Sequence, residues 1–339
     1  MIGKGRISME DFLAFEVTQT ENVFSRGVIR KQLATLKKNY VRVQVEFSDI
    51  NYKDALAASK NGGVVTDYPK VAGIDLAGTI LETNSENWDV GQKVLVTGYG
   101  LGTDLDGGFS QIQDVPAEWL VEIPEKLNSK EAMMFGTAGF TAALAVQAVD
   151  QEISAKDAPI LVTGATGGVS STAISLLQQL GYSNITALSS KKTQADWLTN
   201  LGARAIHTPE EVLPEKKRPL AKQKFAAIID TVGGDILASL LPLIQYNGCA
   251  VLCGNASGIA LQTTVLPFIL RSIKMIGIDS VYVEMEKRKQ IWQFLAEHKN
   301  VLEKQAYQEV GLTDLDETIE SLLNGTHTGR TIVDIGGKK

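Results

Sequence analysis

The stretch ILVTGATGGVSSTAISLLQQLG, residues Ile160–Gly181, decides the fold of this 339-residue chain. A short apolar run leads into a glycine-rich turn, and the turn leads into an apolar segment of helical period. A glycine turn between a strand and a helix brings free backbone N–H groups and the positive end of the helix dipole to one point, where a phosphate binds. The stretch therefore predicts a nucleotide-binding βα unit.

The glycines of this turn depart from the usual pattern in two places. Ala165 stands where the first glycine is expected, and Ser170 stands where the last is expected. Gly167 still lets the backbone approach a pyrophosphate, while Gly164 and Gly168 relax the turn. The last glycine serves close packing, and serine is only slightly larger than alanine, so the predicted site survives. Three hydroxyls are also expected to donate to phosphate: Thr166, Ser170 and Ser171.

Outside this stretch the pattern changes at about Lys130. Before it, YVRVQVEFSDI alternates as a half-buried strand does, and AGIDLAGTILET and GQKVLVTGYG are predicted strands bounded by glycines. After it, a long helix that Ser129 is expected to cap is followed by NITALS, AAIIDTVG, CAVLCG and SIKMIGI as strands, with helices STAISLLQQLG and QADWLTNLG between some of them. Strands alternating with helices predict an α/β fold with a parallel sheet.

The last predicted strand, GRTIVDIG, returns to the first part of the chain. The expected domains are a β-rich domain made of residues 1–130 and 301–339, and a nucleotide-binding domain of residues 131–300. Two domains also suit a chain of this length.

Composition limits the kinds of partner. The net charge of -6 and the pI of about 5.3 disfavour binding to nucleic acid. We expect no membrane span, because no long apolar run stands out, and no signal peptide. Met9 is an alternative start, with residues 1–8 as a leader.

Cysteine usage favours a cytoplasmic enzyme. Cys249 and Cys253 are the two cysteines, and their C-x3-C spacing suits neither a disulfide framework nor a metal site. We expect two buried thiols. The histidines are too few and too scattered to complete a metal site: His207, His298 and His327.

The segment ALSSKKT predicts the coenzyme. NAD sites carry an acidic residue at the end of the second strand, which accepts a hydrogen bond from the ribose 2′-OH. Here Ser189, Ser190, Lys191 and Lys192 stand at that point with no carboxylate. Hydroxyls and ammonium groups suit a 2′-phosphate, so we expect NADPH rather than NADH. An ordinary solvated lysine pair is the alternative.

Several motifs together resemble a known family. They are NYKDAL (Asn51–Leu56), GIDLAGT (Gly73–Thr79), VLVTGYGLG (Val94–Gly102), GTAGFTA (Gly136–Ala142), TTVLPFILR (Thr263–Arg271) and GRT (Gly329–Thr331). The chain resembles the medium-chain dehydrogenases/reductases, nearest to the zinc-free quinone oxidoreductase branch and its acrylyl-CoA reductase group. The resemblance implies a GroES-like catalytic domain and a Rossmann domain that binds NADP.

The ligands of zinc-dependent members are missing. Those members keep a cysteine in the early loop and a histidine in a G-H-E stretch, whereas this chain has Tyr52 and Asp54 in the loop and Ile74 for the histidine. We therefore expect no catalytic metal. The remaining hydride chemistry is conjugate reduction of an activated alkene, or reduction of a quinone, by NADPH.

Such a reduction places negative charge on a carbonyl oxygen, which must be met by donors. Asn51, Tyr52 and Arg330 are the candidates, and Tyr52 or water is the expected proton source. Asp54 is a further candidate, with local capping of a helix as its alternative role. For Arg330 the alternative is a surface position beside a strand.

The resemblance also implies coenzyme contacts along much of the chain. The implied residues are Tyr52, Thr137, Gly164, Thr166, Gly167, Gly168, Val169, Ser189, Ser190, Lys191, Asn255, Ile269, Ser280 and Asn324. One departure is Pro209, near which relatives often place an arginine for the 2′-phosphate.

Three functions remain open at this stage. They are reduction of acrylyl-CoA or small enones, reduction of quinones, and a non-catalytic nucleotide-binding role like that of lens crystallins. Coenzyme A would need a basic surface, for which Arg30, Lys60, Lys70 and Arg271 are candidates. The apolar, β-branched stretch SIKMIGIDSVYVEM predicts a homodimer formed through a sheet edge.

Overall fold

The computed structural model describes residues 11–21, 23–60, 62–216 and 218–336, and the alternative start at Met9 lies outside them. The chain divides into two compact units. The first contains the chain up to Thr137, Gln308–His327 and the residues from Thr331 onwards. The second contains Ala138–Tyr307 and the short segment Thr328–Arg330.

The strands in chain order are β1 (Asp11–Gln19), β2 (Phe24–Gln32), β3 (Tyr40–Asp49), β4 (Lys70–Val71), β5 (Asp75–Thr83), β6 (Lys93–Thr97), β7 (Ile112–Pro116), β8 (Val121–Glu122), β9 (Ile160–Val162), β10 (Ile185–Leu188), β11 (Ala205–His207), β12 (Phe225–Asp230), β13 (Ile244–Leu252), β14 (Lys274–Gly277), β15 (Tyr307–Gly311) and β16 (Arg330–Asp334). The α-helices are α1 (Tyr52–Ala57), α2 (Ser129–Glu152), α3 (Gly168–Gln179), α4 (Ala195–Leu201), α5 (Pro209–Val212), α6 (Gly234–Leu240), α7 (Leu266–Arg271), α8 (Met285–Glu297) and α9 (Leu315–Leu323).

Strand β3 organises the first unit. It pairs antiparallel with β5, β7 and β16 inside a sheet whose order is β15-β16-β3-β5-β6-β8, and β1 joins β2 and β4 in a second sheet. The predicted alternation is confirmed, because Val41, Val43 and Val45 are buried in the core of this unit. The return of the last strand, β16, to this sheet is confirmed as well.

The second unit is built on a parallel sheet of order β11-β10-β9-β12-β13-β14. The chain runs outward from β9 to β11 and then restarts at β12 on the other side of β9. In open α/β sheets a ligand binds beyond the carboxyl ends of the strands at such a switch point. The expected α/β architecture is thus confirmed, and the glycine turn after β9 stands at this point.

Helix α2 begins with a cap that the sequence prediction misplaced. Asn128 Oδ1 accepts from the Glu131 N–H, and Glu131 Oε2 accepts from the Asn128 N–H, which is a capping box. Ser129 is not the cap, since its hydroxyl donates to Glu46 Oε2 at 2.7 Å. A kink follows at Gly136, whose φ is 52°.

Helix α2 is long and apolar enough to span a membrane by length and composition, although no such segment was expected. The helix has 24 residues and a mean hydropathy of 1.5 over its best window. Of that window, 78% is buried inside the protein itself.

Candidate active site

The turn between β9 and α3 is the nucleotide-binding feature of the second unit. Gly164 has a φ of 57°, and a Cβ there would lie 2.5 Å from Thr231 Oγ1, so only glycine fits. Gly167 is the N-cap of α3. The first N–H groups of a helix have no partner inside the helix. The turn therefore presents amide donors at the switch point of the sheet, as a pyrophosphate requires.

The hydroxyls of Ser170 and Ser171 do not face this site. Ser170 is 1% exposed and donates to the Thr163 carbonyl at 2.6 Å, back into the end of β9. Ser171 is fully buried, and its hydroxyl lies 3.4 Å from the Gly168 carbonyl. The expectation that these two serines donate to phosphate is wrong, because both point into the protein. Thr166, also expected to donate, is buried, with 6% of its surface exposed.

Arg330 lies against the same turn. The Gly329 N–H donates to the Thr166 carbonyl at 2.9 Å, which docks Thr328–Arg330 on the turn. A Cβ at Gly168 would lie 2.7 Å from Arg330 Cδ and 3.3 Å from Nη1, so the arginine side chain fills the space that this glycine leaves. The guanidinium is thus brought beside the start of α3. It is 3% exposed, which rules out the simple surface position considered as an alternative.

The two lysines after β10 have different surroundings. Lys191 Nζ lies 3.4 Å from Thr328 Oγ1, next to the segment that carries Arg330, and burial lowers its pKa. Lys192 points elsewhere, with its side chain 74% exposed and Nζ 3.7 Å from Glu211 Oε1. Ser189 accepts a hydrogen bond from the Lys191 N–H. Of the two lysines, only Lys191 therefore lies beside the segment Thr328–Arg330, which contacts the turn. Ser190 is exposed.

In the first unit, the loop before α1 is fixed by buried carboxylates. Asn51 Nδ2 donates to Asp49 Oδ1 at 2.8 Å and to Asp75 Oδ2 at 2.9 Å. An amide has two such N–H groups, and both are used. Asn51 is thus a poor candidate for donation to a substrate oxygen, contrary to the sequence-based hypothesis.

Asp54 takes its alternative role, that of a local cap. Its two oxygens accept from the N–H groups of Asn51 and Ile74, each at 2.8 Å. The side chain is fully buried, so it is closed to solvent. Burial, reinforced by the charge of Asp75, raises the pKa of Asp54 to about 7 against these hydrogen bonds.

Tyr52 remains as the accessible side chain of this loop. It is the first residue of α1 and is 40% exposed. Its backbone position is set by Asn51 and Asp54 on either side. Tyr52 is therefore the one of the four catalytic candidates that combines a hydroxyl with exposure to solvent in a fixed loop.

Sequence reasoning missed Asp75. This buried carboxylate accepts from the Thr137 N–H at 2.7 Å and from the Thr137 hydroxyl at 2.6 Å, as well as from Asn51. It thereby joins the early loop to the kink in α2 at Gly136. The available signal was a charged residue inside the otherwise apolar strand β5, in the segment GIDLAG.

The other implied coenzyme residues are dispersed. Asn255 follows β13 and is exposed, and its Cα would lie 3.2 Å from a Cβ on Gly233 in the neighbouring loop. Ile269 on α7 is 68% exposed. Ser280 follows β14, and Asn324 caps the end of α9 in the first unit.

Two of the four candidate cations for coenzyme A have structural roles instead. Lys70 is buried and donates to the Asp104 carbonyl at 2.8 Å. Arg271 is buried and donates to the carbonyls of Ala221, Pro242 and Ile244 at 2.6–3.1 Å. Arg30 and Lys60 remain exposed.

Burial raises the pKa of both thiols, to about 11 for Cys249 and about 12 for Cys253. Cys249 is buried as expected, whereas Cys253 is only partly buried, so the expectation of two buried thiols is wrong for Cys253. Within residues 11–336, apart from the three undescribed positions between them, no group of three or more His, Cys, Asp or Glu side chains is arranged to hold a metal ion.

Known families and proteins match both units. Residues 37–125 match the family described as alcohol dehydrogenase GroES-like domain, and residues 168–297 match that described as zinc-binding dehydrogenase. The acrylyl-CoA reductase AcuI of Ruegeria pomeroyi is 40% identical over 311 residues, covering 91% of this chain and 94% of that protein.

Two further relatives have structures with a coenzyme. YhfP of Bacillus subtilis, named as a quinone oxidoreductase, is 39% identical over 327 residues, covering 95% of this chain and 99% of that protein. Its crystal structure with NAD bound matches with a TM-score of 0.90 at 38% identity, covering 96% and 99% of the two chains. The yhdH oxidoreductase from Salmonella enterica, in complex with NADP, matches with a TM-score of 0.90 at 39% identity, covering 95% and 99%.

Asp54 should make the stability of the protein depend on pH. Its folded pKa of about 7 lies above its ordinary value of 3.8. The folded state therefore binds this proton more tightly than the unfolded state, and the contribution to stability is lost as pH rises through about 7. We expect the free energy of unfolding of the wild type, minus that of Asp54→Asn, to decrease from about pH 4 to about pH 7 and to level off above about pH 7 in denaturant titrations. A difference that grows with pH would contradict this.

Proposed function

The chain belongs to the medium-chain dehydrogenase/reductase family, and on that premise we propose that it is an NADPH-dependent, zinc-independent enzyme that reduces the activated C=C of acrylyl-CoA or a small enone. The observation that carries the proposal is the docking of Thr328–Arg330 on the glycine turn, which brings Arg330 against Gly168 at the start of α3 and Thr328 within 3.4 Å of Lys191 Nζ. The name of the relative AcuI supports the choice of substrate.

The residues at this point fit NADPH. The amides of the turn suit the pyrophosphate, and the guanidinium of Arg330 beside Gly168 adds a cation for it. This reassigns Arg330 from the substrate carbonyl to the coenzyme. Lys191, with Ser189 and Ser190, suits the 2′-phosphate. When bound, NADPH supplies the hydride for the reaction.

The first unit supplies the remaining chemistry. We propose it as the catalytic domain and the second unit as the coenzyme-binding domain. Tyr52 is the proposed donor to the substrate carbonyl oxygen or to the α-carbon, because its hydroxyl is exposed while Asn51 and Asp54 are occupied. Asn51, Asp54 and Asp75 hold the loop, and water is the alternative proton source.

Reduction of quinones is a second candidate, favoured by the name of YhfP. Steady-state rates with acrylyl-CoA, small enones and quinones, each with NADPH and NADH, distinguish the two. Highest kcat/KM for an alkene with NADPH supports the main proposal, and activity confined to quinones overturns it. We also propose a cytoplasmic location, in keeping with the two free thiols.

The two adjacent lysines allow a controlled test of the coenzyme. Lys191→Ala should weaken NADPH binding by about 1.5–3 kcal/mol, the range for a hydrogen bond to a charged group, and should leave NADH binding nearly unchanged. Lys192→Ala removes the same charge from an exposed side chain and should have a much smaller effect. Dissociation constants from coenzyme fluorescence measure this. Equal losses in both variants, or tighter binding of NADH by the wild type, would refute the assignment.

Tyr52→Phe tests the proposed donor, since it removes only the hydroxyl. Turnover should fall by about 100- to 10,000-fold, the range for loss of an acid or an oxyanion donor, while NADPH binding stays the same. Single-turnover rates with a saturating enone are the measurement. Unchanged turnover on every accepted alkene would remove Tyr52 from the mechanism and leave proton delivery to water.

We propose a homodimer formed through β14, the edge strand of the parallel sheet. Met275 on this strand is 42% exposed, and an unpaired apolar edge favours strand addition. Light scattering should give twice the chain mass of 36.6 kDa, and Met275→Asp should shift the protein towards the monomer. A monomeric wild type at micromolar concentration would contradict the proposal.

A further inference from the structure

The serine that replaces the last glycine of the turn has a partner far away in the sequence. Ser170 Oγ donates to the Thr163 carbonyl at 2.6 Å and lies 3.1 Å from Thr231 Oγ1. Thr231 Oγ1 also lies 3.1 Å from the Thr163 carbonyl. Two hydroxyls, one from α3 and one from the loop after β12, thus meet on a single carbonyl at the end of β9.

A buried carboxylate holds this arrangement in place. The Thr163 hydroxyl donates to Asp230 Oδ1 at 2.7 Å and accepts from the Thr231 N–H at 3.0 Å. Asp230 Oδ2 accepts from the Gly233 N–H at 2.8 Å, and the carboxylate is fully buried. We refer to Thr163, Ser170, Thr231 and Asp230 as the hydroxyl clasp.

The clasp joins the two ends of the glycine turn. Thr163 precedes the turn, and Ser170 lies in the first turn of α3, so their hydrogen bond closes the segment Gly164–Val169 into a ring. The peptide unit is planar with its C=O and N–H on opposite sides. Fixing the Thr163 carbonyl therefore fixes the plane of the peptide that enters Gly164, where the chain is left-handed. A glycine at position 170 lacks the hydroxyl that does this.

We propose that Ser170 is a positioning residue that, through the hydroxyl clasp, holds the backbone of Gly164–Val169 so that the first amides of α3 are ready for a pyrophosphate. The inference rests on the proposed NADPH site. The usual motif has a glycine at position 170. We nevertheless expect Ser170→Gly to impair binding of the coenzyme. The 2′-phosphate, assigned to Lys191, does not depend on the clasp.

Two ligands separate these effects. NADP⁺ contains the pyrophosphate, whereas adenosine 2′-monophosphate contains only the 2′-phosphate. In Ser170→Ala the Kd for NADP⁺ should rise about three- to tenfold, as expected for the loss of one hydrogen bond. Ser170→Gly should bind NADP⁺ at least as weakly as Ser170→Ala does. The Kd for adenosine 2′-monophosphate should change less than about twofold on the same grounds.

The chain offers matched controls. Ser175 is buried on the same helix and accepts a hydrogen bond from Gln305 Nε2 at 3.1 Å. Ser175→Ala therefore removes a comparable hydroxyl that lies away from the turn. It should leave unchanged the ratio of the Kd for NADP⁺ to the Kd for adenosine 2′-monophosphate. Thr231→Ser keeps the clasp hydroxyl and should preserve the ratio, whereas Thr231→Val should raise it. Equal weakening of both ligands by Ser170→Ala, or tighter NADP⁺ binding by Ser170→Gly, would overturn the inference.

Hydrogen exchange of the ligand-free protein tests the clasp independently of the coenzyme. The peptide that covers Gly164–Val169 should exchange faster in Ser170→Ala than in the wild type or Ser175→Ala. Unchanged exchange would overturn the clasp even if NADP⁺ binds. A wild type that binds neither ligand would instead overturn the proposed function, while the exchange result still decides whether the clasp exists.

Discussion

The coenzyme-binding turn depends on one constraint: the chain must leave β9, turn through a left-handed glycine and enter α3 without clashing with its neighbours. A side chain at Gly164 would strike Thr231, and one at Gly168 would strike Arg330. Without side chains at these positions the turn packs closely against Thr231 and Arg330, and the amides at the start of α3 are left for a phosphate. Because this turn lies at the switch point of the parallel sheet, the order of the strands and the location of the site have a common origin.

Buried polar groups then determine which side chains are available for chemistry. Burial of an unpaired polar group is costly, so Asn51, Asp54 and Asp75 satisfy one another and are withdrawn from the substrate. Ser170, Lys70 and Arg271 are unavailable to a ligand for the same reason, because their polar atoms are used in hydrogen bonds inside the protein. What remains exposed beside a fixed backbone is Tyr52. The proposed division of labour, with anion binding in the second unit and a hydroxyl in the first, follows from this elimination.

Much of the fold was predictable because its signals are local. The strand, glycine turn and helix around Gly164 are contiguous, and the alternation over Tyr40–Asp49 needs no partner to be seen. The cap of α2 was misassigned although its signal was local too, since Glu131 stands three residues after Asn128.

The site was less predictable, because its hydrogen bonds join residues distant in sequence. Ser170 and Thr231 are 61 positions apart, and Asn51 and Asp75 are 24 apart. From sequence alone, a serine in a phosphate-binding motif is expected to contact the phosphate. That expectation changes only when the hydrogen-bond partner of its hydroxyl is known. Likewise, nothing in the sequence distinguishes Lys191 from Lys192, whereas the structure places only the first beside Thr328.

The central claim is conjugate reduction of an activated alkene, and the fate of a label tests it most directly. NADPH deuterated at the transferred position is incubated with acrylyl-CoA in ordinary water, and the product is examined by NMR. We expect a saturated acyl-CoA with deuterium on the β-carbon alone and a solvent proton on the α-carbon. Deuterium on the α-carbon, or no reduction of the alkene while quinones consume the coenzyme, would contradict it.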